Sequence, residues 1–105
     1  MSWFYLILAA VFEMGWPLGL KLAQSSSFKL VWFAFAAVAM AVSGYFLFLA
    51  QKSIPIGTAY AVWTGIGATG TFFIGVFFFH DSFTVWRLLS VFLIITGIVG
   101  LKLSS

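Results

Sequence analysis

The chain has 105 residues, of which 64% are hydrophobic and 7% charged, and its formal net charge is +3. A soluble domain of this length needs a polar surface that these residues cannot supply. The few basic residues are spread along the chain, which is typical of membrane-flanking charge and not of a nucleic-acid surface. Because there is no cysteine, disulfides and thiolate metal sites are excluded. We therefore predict an all-α membrane protein.

Four long apolar segments follow one another with short polar joints between them. A bilayer core of about 30 Å needs about 20 helical residues, and this length predicts four transmembrane helices. They are expected at about residues 2–22, 30–51, 55–79 and 84–103. Since no joint is long enough to be a linker, residues 1–105 are predicted to form a single four-helix transmembrane domain.

The first helix carries an acid inside its apolar segment, Glu13 in "AAVFEMGWPLGLK". An ionised acid at mid-bilayer costs about 2.5–3.5 kcal/mol on insertion scales, and such residues are usually functional. Removal from water favours the neutral form of an acid, so Glu13 is predicted to exchange a proton for a cation. The structural alternative is a protonated carboxyl that is hydrogen-bonded between helices.

Two residues that follow Glu13 bear on its chemistry. Trp16 lies one turn later on the same face, where its indole N–H can donate to the carboxylate and its ring can face a cation; an interfacial anchor is the alternative. Pro17 has no N–H to donate to the carbonyl of Glu13. We therefore expect a kink at the acid and an additional acceptor for a cation. A tolerated kink whose carbonyl is satisfied by a neighbouring helix is the alternative.

The second and third helices offer further polar and aromatic candidates. Ser43 can hydrogen-bond the carboxylate of Glu13, although serines often bond to a carbonyl of their own helix. In the third helix Tyr60 and Trp63 lie one turn apart. They supply a hydroxyl donor and two aromatic faces, which suit an organic cation. Ordinary aromatic packing between helices is the alternative for this pair.

Small residues have two predicted uses in the last two helices. Gly65 and Gly67 weaken the third helix and are predicted to form a hinge, which suits a protein that switches the side to which it opens. In the fourth helix Ser90 and Gly97 lie seven residues apart on one face, and small side chains let helices approach closely in lipid. We predict that this face is a dimer interface; packing within one subunit is the alternative.

The positive charges are nearly balanced across the membrane. With four spans, Lys52 and Lys102 lie on one side, and Lys21, Lys29 and Arg87 lie on the other. Basic residues in short loops set the orientation of a membrane protein, so this near-tie predicts that copies insert both ways round. Identical chains can then pair as an antiparallel, dual-topology homodimer.

Three segments resemble the small multidrug resistance transporters. They are the early helix with a lone glutamate followed by "WPLGLK", the segment "PIGTAYAVWTGIGATG", and the last helix ending "TGIVGLKLS". Trp16, Thr58, Thr64 and Ala68 fit the guanidinium exporter subtype of that family, whereas Pro17 stands where a small or aliphatic residue is expected. The resemblance covers the whole chain.

The resemblance implies an antiparallel homodimer with one central site, where protons and substrate compete and access alternates between the two sides. The positions that match the functional residues of the family are Glu13, Trp16, Ser43, Tyr60 and Trp63. The implied activity is proton-coupled export of guanidinium or small substituted guanidinium cations across the bacterial inner membrane. The cation, protons and lipid are the implied partners, with no cofactor, metal or nucleic acid.

Two alternative functions are open on the sequence. One keeps transport but changes the cargo to bulky quaternary ammonium compounds, which have no N–H donors and need an aromatic box. The other is a non-transporting membrane assembly partner in which Glu13 is only a packing group. An enzyme is not predicted, because the sequence has no nucleotide motif, phosphate loop or nucleophile paired with a base. His80 and Asp81, in a predicted hairpin, are weak evidence for catalysis or metal binding.

Overall fold

Five helical segments make up the computed structural model, which describes residues 1–104. They are α1 (Ser2–Glu13), α2 (Gly15–Ser25), α3 (Lys29–Ala50), α4 (Ile56–Phe78) and α5 (Val85–Ser104). Because Met14 alone separates α1 from α2, these two form one span, Ser2–Ser25. Within the described residues four spans are therefore long and apolar enough to cross a membrane. The prediction of an all-helical protein with four transmembrane helices is confirmed.

The first span is interrupted beside its acid, close to the proline. Pro17 cannot donate a hydrogen bond to the carbonyl of Glu13 because it has no N–H. The hydrogen-bond pattern shifts at this place, since the Met14 N–H donates to the Val11 carbonyl, three residues back, at 3.2 Å. Met14 itself keeps a helical backbone, with φ −68° and ψ −24°. The interruption is thus confined to one residue, and it makes Glu13 the last residue of α1.

Small residues let the first span lie close against α3. A Cβ built on Gly19 would lie 3.1 Å from both the Cβ of Ala36 and the carbonyl oxygen of Trp32. A Cβ built on Gly15 would lie 2.8 Å from the Cβ of Ala39. These distances are shorter than ordinary van der Waals contact, so a side chain at either glycine would push the helices apart. Close packing of this kind holds helices together in lipid, where the hydrophobic effect between them is weak.

The helices form an open arrangement and not a closed bundle. α1 packs against α3 and α4, α2 packs mainly against α3, and within the described residues the backbone of α5 approaches that of α4 alone. The molecule is half as thick as it is wide, with dimensions of 45 × 34 × 17 Å. Large apolar side chains on α5 are accordingly exposed, among them Phe92 and Leu93. One chain therefore leaves broad apolar faces for lipid or for another protein.

A buried apolar cluster fixes α1 relative to α4. Leu6 on α1 and Val62 on α4 belong to it, and both are almost fully buried. Ala50, Ile54 and Ala59 complete the cluster at the joint between α3 and α4. Since Glu13 ends α1 two turns beyond Leu6, this cluster sets the position of the acid against the middle of α4.

Candidate functional site

The carboxylate of Glu13 lies beside the start of α2, where one side chain holds it. The indole Nε1–H of Trp16 donates to Oε1 of Glu13 at 2.7 Å. Helical spacing predicts this hydrogen bond, and the structure contains it. Among the residues that the structure describes, no other donor contacts the carboxylate, so its second oxygen is available to a ligand.

A cavity of about 360 Å³ opens beside this carboxylate. The first span supplies one wall, and α4 supplies the other from positions i, i+3, i+4 and i+7 of one helical face. The lining residues are Glu13, Trp16, Pro17, Thr64, Gly67, Ala68 and Thr71. The volume lies within the range of about 300–1,000 Å³ that small-molecule sites occupy. A mostly apolar cavity with a single acid suits a small organic cation.

Gly67 makes room for the acid. A Cβ built on Gly67 would lie 2.7 Å from Cγ of Glu13 and 3.3 Å from its Cβ, so any side chain at this position would displace the carboxylate. Gly65 instead faces α5, where a Cβ would lie 2.8 Å from Cδ1 of Ile98. The helix α4 runs without interruption through both glycines. Each glycine thus has a packing role, and the hinge at these positions stays a prediction.

Ser43 joins three helices one turn before the acid. Its hydroxyl donates to the carbonyl of Ala9 at 2.6 Å and accepts from Nε1–H of Trp63 at 2.8 Å. Ser43 is fully buried. Because its one proton is given to Ala9, the hydroxyl does not donate to Glu13, contrary to the expectation from the sequence. It holds α3 against α1 and α4, and its part in binding stays a prediction.

The aromatic pair on α4 lies next to Ser43. The rings of Tyr60 and Trp63 are 5.5 Å apart between centroids and tilted by 55°, and Tyr60 is 58% exposed. Neither residue lines the cavity beside Glu13. The five predicted site residues therefore form two adjacent groups in one chain. Sequence reasoning missed Thr71 of the cavity wall, although its position four residues after Gly67 could have identified it.

The predicted dimer interface lies on the exposed side of α5. Ser90 and Gly97 are both exposed. The Ser90 hydroxyl donates to the carbonyl of Trp86 in its own helix at 2.9 Å, and a Cβ on Gly97 would meet nothing within 4 Å. This face is free in one chain, and its use as an interface stays a prediction. Within residues 1–104 no three metal-ligating side chains lie together.

Four membrane spans and an acid in a cavity between the first span and α4 define a small multi-pass membrane protein. The family model described as "Small Multidrug Resistance protein" matches residues 1–94. The chain belongs to this family, which consists of transporters and not of enzymes.

Relatives of full length match the chain from end to end. A guanidinium exporter of Yersinia pseudotuberculosis serotype I (strain IP32953) is 47% identical over 105 residues, which cover 100% of both chains. A guanidinium exporter of Escherichia coli (strain K12) is 46% identical over 105 residues, 100% of this chain and 99% of the relative. A guanidinium exporter of Proteus vulgaris is 45% identical over 100% of both chains. These matches confirm the resemblance that the motifs indicate.

Proposed function

We propose that this protein is a proton-coupled antiporter that exports guanidinium or small substituted guanidinium cations by alternating access. The observation that carries the proposal is the carboxylate of Glu13, which Trp16 holds at 2.7 Å beside a cavity of about 360 Å³. The relatives that are 46–47% identical over the full length are guanidinium exporters, which supports the choice of cation. Because those relatives are bacterial, we assign the protein to the bacterial inner membrane.

The chemistry of the cation fits the site. Guanidinium is planar and charged at any biological pH, and its paired N–H donors match the two oxygens of a carboxylate. Trp16 donates one hydrogen bond to Oε1 of Glu13 and orients the carboxylate, and each carboxylate oxygen keeps a lone pair for the cation. The hydroxyl of Thr64 donates to the Tyr60 carbonyl at 2.7 Å, so this threonine contributes mainly its methyl group to the cavity wall. Recognition of the cation then depends on the acid.

Competition between the proton and the cation for Glu13 couples the movement of one to the movement of the other. A neutral, protonated Glu13 cannot attract the cation, and an ionised Glu13 that holds the cation has no proton to carry. Each time the site changes the side of the membrane to which it opens, it therefore carries either a proton or the cation. The inward proton gradient then drives the cation outward, with Glu13 as the site that both species share.

A second copy of the chain is part of the proposal. In the open arrangement the backbone of α5 approaches that of α4 alone within the described residues, and large side chains of α5 are exposed. The basic residues are also nearly balanced between the two sides. We infer an antiparallel homodimer in which α5 contributes the contact surface through Ser90 and Gly97. Two copies of Glu13 would then face one central site. Tags that reveal a single orientation in cells would contradict this arrangement.

The test of the function is uptake into liposomes that contain the purified protein. With an acidic interior, outward proton flow is expected to drive accumulation of guanidinium, and an ionophore that dissipates the pH gradient should abolish this accumulation. Tetrapropylammonium is the comparison cargo, because it has a positive charge but no N–H donors. We expect guanidinium to be taken up and tetrapropylammonium to be taken up poorly or not at all.

Each outcome of this experiment decides between functions. Stronger uptake of tetrapropylammonium would support the broader quaternary ammonium exporter. Absence of gradient-driven uptake for both cations would reject transport and leave the membrane assembly partner. Empty liposomes with the same gradient are the control for passive leakage.

Replacement of Trp16 by phenylalanine tests the hydrogen bond to the acid. Trp16→Phe keeps an aromatic ring but removes the donor at 2.7 Å. Since a hydrogen bond to a charged group contributes about 1.5–3 kcal/mol, we expect the guanidinium concentration at half-maximal rate to change at least about tenfold. Trp86→Phe, at a residue 79% exposed at the start of α5, is the matched control and should not change it. Equal behaviour of the two variants would exclude a role for the indole N–H.

A further inference from the structure

A second cavity, of about 230 Å³, lies next to the one beside Glu13, on the side of the membrane edge. Pro17 and Thr71 line both cavities, so the two volumes are neighbours on either side of this pair of residues. The second cavity lies between α2 and the last turns of α4. It reaches Lys21, which follows Glu13 by eight residues and hence by about 12 Å along a helix axis.

The outer end of the second cavity carries opposite charges. Lys21 and Asp81 both line it, and both are exposed. The Nζ of Lys21 lies over the ring of Phe79 at 5.9 Å from its centroid. Asp81 is held back against α4, because its N–H donates to the carbonyl of Gly75 at 3.1 Å and its carboxylate lies where a side chain on Gly75 would be. The chain thus places a carboxylate over this cavity from the joint that follows α4.

The sharp turn at His80 explains how Asp81 reaches this place. His80 has a φ of 59°, in the left-handed region that non-glycine residues adopt uncommonly. The next residue therefore folds back onto α4 and does not continue away from it. His80 itself is exposed and does not line either cavity.

Thr71 supplies a free polar group between the two cavities. Thr64 and Thr96 each donate to the carbonyl four residues back in their own helices, at 2.7 and 2.8 Å. Within residues 1–104 the hydroxyl of Thr71 has no such partner. A polar group that is not satisfied by the protein at this depth favours the presence of water, since lipid offers no hydrogen bonds.

We propose that the two cavities form the aqueous route between Glu13 and one face of the membrane, with Thr71 at its middle and Asp81 as the carboxylate that attracts the cation at its mouth. Lys21, at the same mouth, opposes this attraction. The identity of the cation rests on the proposed function, whereas the route itself does not. A small charged species cannot cross the apolar part of the membrane, so it needs a hydrated passage of this kind to reach the acid.

Cysteine accessibility tests the route independently of transport. The natural chain has no cysteine, so Thr71→Cys and Ile74→Cys each introduce a single thiol into a cavity wall. The probe is a membrane-impermeant, positively charged methanethiosulfonate. Thiols react as thiolates, which need water to form, so we expect both variants to react at least about tenfold faster than Phe92→Cys, an exposed apolar position of α5 that lies off the face of Ser90 and Gly97. Labelling after denaturation gives the total thiol for each variant.

The outcomes separate the route from the function. Guanidinium in excess is expected to slow the labelling of Thr71→Cys. If Thr71→Cys and Ile74→Cys both react as slowly as Phe92→Cys while the parent chain takes up guanidinium, the route is rejected and the proposed function stands. If the parent chain takes up no cation but both thiols react quickly, the function is rejected and the aqueous passage stands.

Two substitutions that change the charge at the outer end of the second cavity in opposite directions test the role of this mouth. Asp81→Asn keeps the size of the side chain and should raise the guanidinium concentration at half-maximal rate about threefold at low ionic strength, because a charged mouth concentrates ions of opposite sign. Lys21→Gln should lower this concentration by a similar factor. Both shifts are expected to shrink at about 0.5 M salt, where exposed charges are screened. Shifts in the same direction, or shifts that salt does not reduce, would overturn the assignment of Asp81.

Discussion

Glu13→Gln is expected to abolish proton-coupled guanidinium exchange in liposomes while the protein still folds in the membrane. Glutamine has nearly the same size as glutamate and keeps an oxygen that can accept from Trp16, so the local packing is retained. It cannot carry a proton or a negative charge. Removal of one partner of a buried charge pair costs about 2–5 kcal/mol, so guanidinium binding should weaken at least about 30-fold. Coupling to protons should be lost altogether.

Three measurements make this result specific. Guanidinium uptake under a pH gradient gives the rate, isothermal titration gives the affinity, and the thermal melting of the purified protein shows whether it is folded. Glu13→Asp is the matched variant, because it keeps the charge but shortens the side chain that meets Trp16 at 2.7 Å. We expect Glu13→Asp to retain slow, gradient-dependent uptake. Gradient-driven uptake by Glu13→Gln at the parent rate would show that the acid is a packing group and would reject the antiporter.

Hydropathy predicts the four spans because lipid selects for long apolar helices, but it does not predict where a helix ends. The first span was expected to end near residue 22, and α2 continues to Ser25. The additional turn is stabilised by Lys29, whose Nζ donates to the carbonyls of Ala23 and Ser26, both at 3.1 Å. Carbonyls at the end of a helix lack partners within the helix. A lysine at the start of the next helix can supply a hydrogen-bond donor to these carbonyls only when the joint between the two helices folds back. The sequence alone does not show this fold.

The contacts of the candidate site are of two kinds: local contacts between residues close in sequence, and non-local contacts between helices. The bond between Glu13 and Trp16 follows from their separation by three residues on one span, so it could be predicted. The partner of Ser43 depends on how three helices approach one another. Its hydroxyl donates to the carbonyl of Ala9 at 2.6 Å, and no sequence spacing contains that information. Thr71 lay within reach of prediction by helical periodicity, but only after the face of α4 that meets the acid was known.

Gly67→Ala is expected to impair guanidinium binding through displacement of the acid and not through a change in helix flexibility. The added Cβ would lie 2.7 Å from Cγ of Glu13, which is well inside ordinary contact distance, so the glutamate must move away from α4. Overpacking of this kind costs about 1–3 kcal/mol. If this cost appears in binding, the affinity for guanidinium falls about 5- to 150-fold. Isothermal titration of guanidinium into the purified variant measures the loss.

A second glycine of the same helix provides the control that separates packing from flexibility. Gly57 lies in the first turn of α4, and a Cβ there would meet nothing within 4 Å. Gly57→Ala should therefore leave guanidinium affinity unchanged and stabilise the helix, since alanine is a better helix former than glycine by about 1 kcal/mol.

Gly65→Ala is the second comparison, because its Cβ would meet Ile98 on α5 and not the acid. A contact with the acid predicts that Gly67→Ala alone weakens equilibrium binding, whereas Gly65→Ala lowers thermal stability. If Gly65→Ala and Gly67→Ala both slow transport and both keep the parent affinity, the contact with Glu13 is not what Gly67 provides, and the hinge is the better explanation of both glycines.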